Sequence, residues 1–289
     1  MTRPFAQAHL SQLAELLSWM DQEPQRKTLA PEARTPEGLW WEVLAGEGEK
    51  AWVWLEEGRV QGYVSLVPFW DGAALEGPLV RGGDGKRLLE HAVKKARAEG
   101  YPTLYAFPER SNLYACKLLE AVGFSPEHTT YFYVTGRTDL YYPVPVGYRI
   151  GRCEPCDPEV YRDLYGRAED GWSMRLGWTD EELRQHFVGS DVVLFMAYQG
   201  LVPVGLVELE IEGSEAEVAY IGVVPEARGK GLGRALLGKA AAYAFADPQV
   251  QTLKVRAHDH EKSAQELYKR LGLVERECIV TYALELARS

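Results

Sequence analysis

The chain has 289 residues, 46% of them apolar, and carries 42 acidic against 32 basic side chains for a formal charge of −10. That length exceeds what one core usually organises, so two domains are expected, while the acidic balance argues against a nucleic-acid partner. No apolar run approaches the roughly 18 to 20 residues that span a bilayer, so no membrane partner is expected, and Met1 to Gln7 lack the basic-then-apolar layout of a signal peptide, which points to the cytoplasm.

In chain order, periodicity predicts a helix from Ala8 to Met20, a Trp-rich helix from Pro36 to Leu44, and strands Ala51 to Leu55, Val60 to Pro68 and Ala73 to Val80. Gly82-Gly83-Asp84-Gly85 then opens a helix Lys86 to Ala98, followed by strand Thr103 to Phe107, helix Asn112 to Val122 and strand Thr129 to Val134. The same order of events begins again at strand Tyr148 to Ile150: helices Pro158 to Glu169 and Asp180 to Phe187, then strands Val192 to Tyr198, Val204 to Ile211 and Ala216 to Val223. Gly229 to Gly233, helix Arg234 to Phe245, strand Thr252 to Ala257, helix Ser263 to Leu271 and strand Cys278 to Leu284 complete it. Residues 1–140 and 148–289 are therefore read as two tandem α/β (α+β) domains, each a mixed, mostly antiparallel twisted sheet flanked by helices, with 141–147 as a Pro- and Gly-containing linker.

The second glycine turn, Arg228-Gly229-Lys230-Gly231-Leu232-Gly233, feeds directly into a run of strong helix formers beginning at Arg234. A glycine turn at a helix N-terminus offers free backbone N–H groups and the positive end of the helix dipole to an anion. Arg228, Lys230 and Arg234 add local positive charge, so the turn reads as a phosphate cradle. Neither turn is a Walker A loop, and the dinucleotide pattern Gly-x-Gly-x-x-Gly breaks at Arg234. Cys153-Glu154-Pro155-Cys156 is half of a metal or redox motif with no second Cys-x-x-Cys to complete it, so no metal is expected there.

The turn fits in full the pyrophosphate loop Gln/Arg-x-x-Gly-x-Gly/Ala of the GNAT superfamily of N-acetyltransferases, which this chain resembles. Ala216 to Pro225 is similar to that family's fourth strand, and Ala264 to Leu273, with Leu267-Tyr268 and Leu271-Gly272, to its closing helix motif. The resemblance is strong over residues 148 to 286 and fainter over 1 to 140, where Val80 stands in the place of Arg228 and Leu119 in that of Tyr268. A degenerate first half and an active second half are thereby implied, similar in layout to the mycothiol synthases. The resemblance further implies acetyl-CoA as cosubstrate without a metal, and direct acyl transfer to a primary amine of a small molecule or peptide.

On the same basis Ile221, Gly222 and Val223 would lie along the pantetheine, with the Val223 N–H as the expected donor to the thioester oxygen. Arg228, Gly229, Lys230, Gly231, Leu232, Gly233 and Arg234 would hold the pyrophosphate, Glu217 would take the amine proton, and Tyr268 would protonate the leaving thiolate. Strand alternation is expected to place Glu217 on one face with Ala219, Ile221 and Val223. Glu208, Glu210 and His258 compete with Glu217 as bases. The sequence departs from the family at Glu261, within His258-Asp259-His260-Glu261, where an asparagine often contacts the cofactor; the run reads as metal ligands or as an N-cap. A tandem module that binds acyl-CoA or another protein without catalysis is the competing reading.

Overall fold

The computed structural model describes residues 1–45, 50–82, 84–168, 174–188 and 191–286; the expected helix end at Glu169 and turn residue Gly83 lie outside them. In chain order the elements are β1 (Thr2–Pro4), α1 (Leu10–Met20), α2 (Pro36–Leu39), β2 (Lys50–Glu56), β3 (Arg59–Phe69), β4 (Gly72–Val80), α3 (Gly85–Ala98), β5 (Thr103–Ala106), α4 (Leu113–Val122) and β6 (Ser125–Gly136). They continue as β7 (Tyr148–Arg152), α5 (Pro158–Ala168), α6 (Asp180–Val188), β8 (Val192–Gln199), β9 (Val202–Glu212), β10 (Glu215–Val223), α7 (Leu232–Ala244), β11 (Thr252–His258), α8 (Lys262–Arg270) and β12 (Val274–Glu285).

Two compact units emerge, and their limits differ from the linear expectation of 1–140, 141–147 and 148–289. The first unit is Met1–Thr130 together with Glu277–Ser289, and the second is Tyr131–Arg276. A strand belongs to the sheet that satisfies its backbone groups, whatever its place in the chain. From Glu277 onward the last strand serves the first unit, where Tyr282 to Glu285 pair antiparallel with Ala106 to Thr103 of β5. The strand order in the first unit is β1-β2-β3-β4-β5-β12, and in the second β6-β11-β10-β9-β8-β7. Each contains a parallel pair, β4 with β5 and β10 with β11, beside antiparallel ones, so both sheets are mixed as expected.

In the first unit, alternation along the strands feeds two cores. Val53 and Tyr63 pack with Leu13, Leu17 and Leu39 on the α1 and α2 side, whereas their neighbours Trp52 and Val64 pack with Leu88, Leu89 and Leu119 on the α3 and α4 side. The second unit is organised by the all-round apolar run of α7, with Leu236, Leu237, Ala240 and Ala244 fully buried against strand residues such as Leu206, Leu253 and Val255.

The end of the expected first domain is built into this unit, together with Tyr142 of the expected linker. Leu140 is buried in its core, and a Cβ on Gly238 of α7 would stand 2.4 Å from the Leu140 carbonyl oxygen, so only glycine admits the strap there. Arg137 donates to the carbonyls of Asp247 (2.8 Å), Val250 (2.6 Å) and Phe245 (2.5 Å), placing a cation over the C-terminal end of α7, where it favours the dipole.

Candidate active site

The glycine turn lies where the sequence places it, at the junction of β10 and α7, but the helix begins at Leu232 rather than Arg234. Gly229 (φ +73°) and Gly231 (φ +85°) hold left-handed conformations, and Gly231 is the N-cap. No side chain caps α7, and among the described residues no backbone N–H from Gly229 to Arg234 donates to another part of the chain. Lys230 donates to the Glu226 carbonyl at 2.9 Å and the Tyr148 hydroxyl at 3.2 Å, and Arg234 lies over the Tyr142 ring. Both cations therefore border the open helix end. The Arg228 guanidinium is engaged differently: its Nε donates to the Val223 carbonyl (2.8 Å) and Nη2 to that of Ala168 (2.9 Å), which ties the turn to the strand before it and to the end of α5.

β10 is paired with β11 only from Glu215↔Thr252 to Val218↔Val255, although both strands run on, to Val223 and His258. On its other edge β10 stays paired with β9 throughout, from Glu215↔Glu212 to Val223↔Gly205. The two strands thus part beyond Val218, with Arg256 bridging the start of the opening by donating to the Ala219 carbonyl at 3.0 Å. The Val224 N–H donates toward β9, to Val204. Successive peptide groups of a strand point to opposite edges, so the N–H groups of Val223 and Ile221 point to the edge that β11 has left.

At the same place the register shifts by one: Val218 faces Leu209, but Tyr220 faces Glu208, leaving Ala219 as a bulge. This corrects the face expected for Glu217. One extra residue reverses alternation, so Glu217 shares its face with Tyr220 and Gly222, and the side chains of Ile221 and Val223 turn to the opposite face, toward α7. The Glu217 side chain is half-buried, 3.8 Å from Lys254, and its carboxyl is raised above the ordinary carboxylate range by burial, against the opposing pull of Arg256 and Lys254.

Glu217 lines a cleft of 510 Å³ with His186, Asp191, Glu210, Glu212 and Glu215. Beside it, Glu208 is fully buried and accepts from the Tyr161 hydroxyl at 3.1 Å, with His186 Nε2 2.8 Å from its other oxygen. Donor atoms of His186, Glu208 and Glu210 lie within 4.8 Å of one another. Sequence reasoning singled out Glu208 and Glu210 but missed His186, because the separation of 22 positions between His186 and Glu208 hides a contact made by α6 packing over β9.

Tyr268 is 1% exposed, its ring 5.7 Å from that of Tyr133, in the same core as Val224 and Ala257. Burial, then the charge of Glu261, then Tyr133, push its phenol above its ordinary value, so it stays protonated at neutral pH. The His258 to Glu261 run closes on itself: Glu261 accepts from the His258 N–H at 2.6 Å, and the two histidine rings stack at 5.6 Å. The Cys153 and Cys156 thiols are half-buried and free. Their mutual hydrogen bond lowers Cys153 and raises Cys156.

The model of the acetyltransferase (GNAT) family matches residues 13–124 and again 158–273. The chain belongs to the GNAT family. Its two matched stretches make it a tandem member. A mycothiol acetyltransferase of Thermomonospora curvata is 27% identical, over 79% of this chain and 80% of that protein. Two solved structures share the fold: a tandem GNAT protein from the clavulanic acid biosynthesis pathway (TM-score 0.69, 19% identity, 99% of this chain and 98% of that one) and a GCN5-related N-acetyltransferase from Sphaerobacter thermophilus (TM-score 0.74, 18% identity, 99% and 95%). Membership of an acetyltransferase family supports a transferase reaction drawing on acetyl-CoA. Among the described residues no helix is long and apolar enough to cross a membrane.

Proposed function

We propose that the protein is an acetyl-CoA-dependent N-acyltransferase acting on a primary amine of a small molecule or peptide, with all chemistry in the second unit. The observation that carries this reading is the parting of β10 from β11 immediately before an uncapped helix N-terminus. A pantetheine arm laid in that opening meets the N–H groups of Ile221 and Val223 as a strand would, and the pyrophosphate then reaches the turn Gly229 to Gly233 with Lys230 and Arg234 at its rim. Arg228 contributes by holding the turn, since its guanidinium is committed to two carbonyls.

Strand rise refines the donor. At about 3.3 Å per residue Val223 stands roughly 20 Å along β10 from Glu217 and Ile221 roughly 13 Å. The Ile221 N–H is therefore the better placed for a thioester attacked by an amine in the Glu217 cleft, and Val223 lies further along the arm. Five carboxylates line that cleft, which supports a cationic acceptor. Glu217, raised toward neutrality, is suited to accept the amine proton, and the fully protonated Tyr268 to supply one to the departing sulfur. The first unit is proposed as non-catalytic, and the cytoplasm as the site of action.

The burial of Tyr268 favours a second reading, a tandem module that binds acyl-CoA without turning it over. Calorimetry with CoA and thiol release from acetyl-CoA with polyamines, amino sugars, amino acids and peptide N-termini separate the two. Tyr268→Phe should leave CoA affinity in place and lower turnover roughly a hundredfold. Equal turnover in both proteins would return Tyr268 to the core.

A further inference from the structure

We infer that His186 is a second proton acceptor in the acceptor cleft and that Glu208 is its positioning residue; this rests on the acetyltransferase reading and deepens it. Glu208 is fully buried, with Tyr161 and His186 converging on its two oxygens at 3.1 and 2.8 Å. A carboxylate can only accept, so the bonded Nε2 carries the proton and, in the neutral ring, Nδ1 carries the lone pair. Among the described residues Nδ1 has no hydrogen-bond partner. The ring is wedged edge-on between Trp178 and Phe187, with centroids at 5.2 and 5.0 Å, and its side chain is 18% exposed on the cleft that Glu217 also lines. An oriented imidazole with one nitrogen on a buried carboxylate and the other free is the arrangement of a base and its orienting group.

Register places this pair closer to the reacting centre than Glu217. Glu208 lies directly across from Tyr220, next to Ile221, whereas Glu217 lies across from Glu210, on the far side of the bulge. An ammonium must also lose two protons to become an amide nitrogen. In the sequence that follows, the ammonium gives the first to Glu217, and the neutral amine attacks the thioester carbon. The C–N bond forms and the nitrogen gives its second proton to His186 Nδ1, the imidazolium being held against Glu208. Collapse breaks the C–S bond and the sulfur takes a proton from Tyr268. His186 passes its proton back through water to the phenolate, and Glu217 releases its own to solvent, so one proton ends on CoA and one in solution.

The test uses the full chain, with CoA calorimetry beside thiol release from acetyl-CoA in the presence of spermidine, tyramine, glucosamine or glycinamide, whichever is fastest. His186→Gln should lower kcat roughly a hundredfold with KM for acetyl-CoA and CoA affinity unchanged, imidazole should restore part of the rate to His186→Ala, and Glu208→Gln should fall between. Unchanged kcat in His186→Gln with CoA binding intact overturns the role of His186 and leaves the acetyltransferase reading standing. Absence of CoA binding in the unaltered protein overturns that reading itself. Should none of the four amines be accepted, ¹⁵N resonances of the His186 ring decide. A neutral ring protonated at Nε2, lost in Glu208→Gln, supports the dyad, and a ring protonated at Nδ1 alone, or one ligated by zinc at stoichiometric concentration, overturns it.

Discussion

The two glycine turns occupy the same place in their units and are built to opposite ends. In the second unit eight residues, 224–231, separate β10 from α7, and the helix opens on Gly231 with no side chain over its N–H groups. In the first unit only four, 81–84, separate β4 from α3, and Asp84 caps the helix, accepting from the Arg87 N–H at 3.1 Å. The carboxylate sits where a phosphate would, so the first helix end already holds its anion. A Cβ on Gly85 would meet Leu118 and Val80 at 3.0 Å, so the first turn is also packed from below, whereas Gly229 and Gly233 face open space.

An arginine survives in both units at the carbonyl that ends the central strand. Arg228 reaches Val223 from within the turn; in the first unit Arg26 donates to Val80 and lies over the Tyr114 ring at 3.7 Å. The missing basic residue at Val80 is thus replaced from the segment after α1. What the first unit lacks is the open helix end, and that difference is the ground on which binding is proposed for the second.

If all chemistry lies in the second unit, the largest effect should come from Glu217→Gln, which is expected to lower kcat roughly 10²- to 10⁴-fold without loss of CoA affinity. Burial raises the Glu217 carboxyl, so the base is filled as pH falls through a value above the ordinary carboxylate range, and the acid limb of the kcat/KM profile should stand there in the unaltered protein. A limb unmoved by Glu217→Gln would make this a sheet-pairing glutamate. Gly231→Val forces a branched side chain to φ +85° at the open helix end and should weaken CoA about a hundredfold, ~2.8 kcal/mol by calorimetry. Unaltered affinity would sink the contrast between the turns.

Gly238→Ala drives a methyl to within 2.4 Å of the Leu140 oxygen and should cost about 1 to 3 kcal/mol, read as a lower thermal midpoint. The smallest effect belongs to the first turn. Asp84→Ala should cost ~1 kcal/mol of stability through its lost cap, while CoA still binds once per chain and turnover is unchanged. A second CoA bound by that variant would mean that Asp84 alone closes the first unit.

Much of this was legible in the sequence because it is local. Glycines at 229 and 231, the helix formers after them and the alternating strands before them each declare themselves within a few residues, and they led to the GNAT fold and to the turn. The face of Glu217 was not legible, because a bulge is a property of the pairing between β9 and β10, and one extra residue at Ala219 reverses every side chain beyond it. Nor was the commitment of Arg228 to Val223 and Ala168, which depends on where α5 ends in space.

The sequence by itself therefore determined the elements, their repetition and a glycine turn at a helix N-terminus in the second half, since propensity, capping and glycine conformations act over a few residues. Only the tertiary structure decided which unit receives the last strand, which helix end remains open, and that His186 and Glu208 stand together at the cleft. Those outcomes follow from register and packing between segments far apart in the chain, which no local pattern encodes.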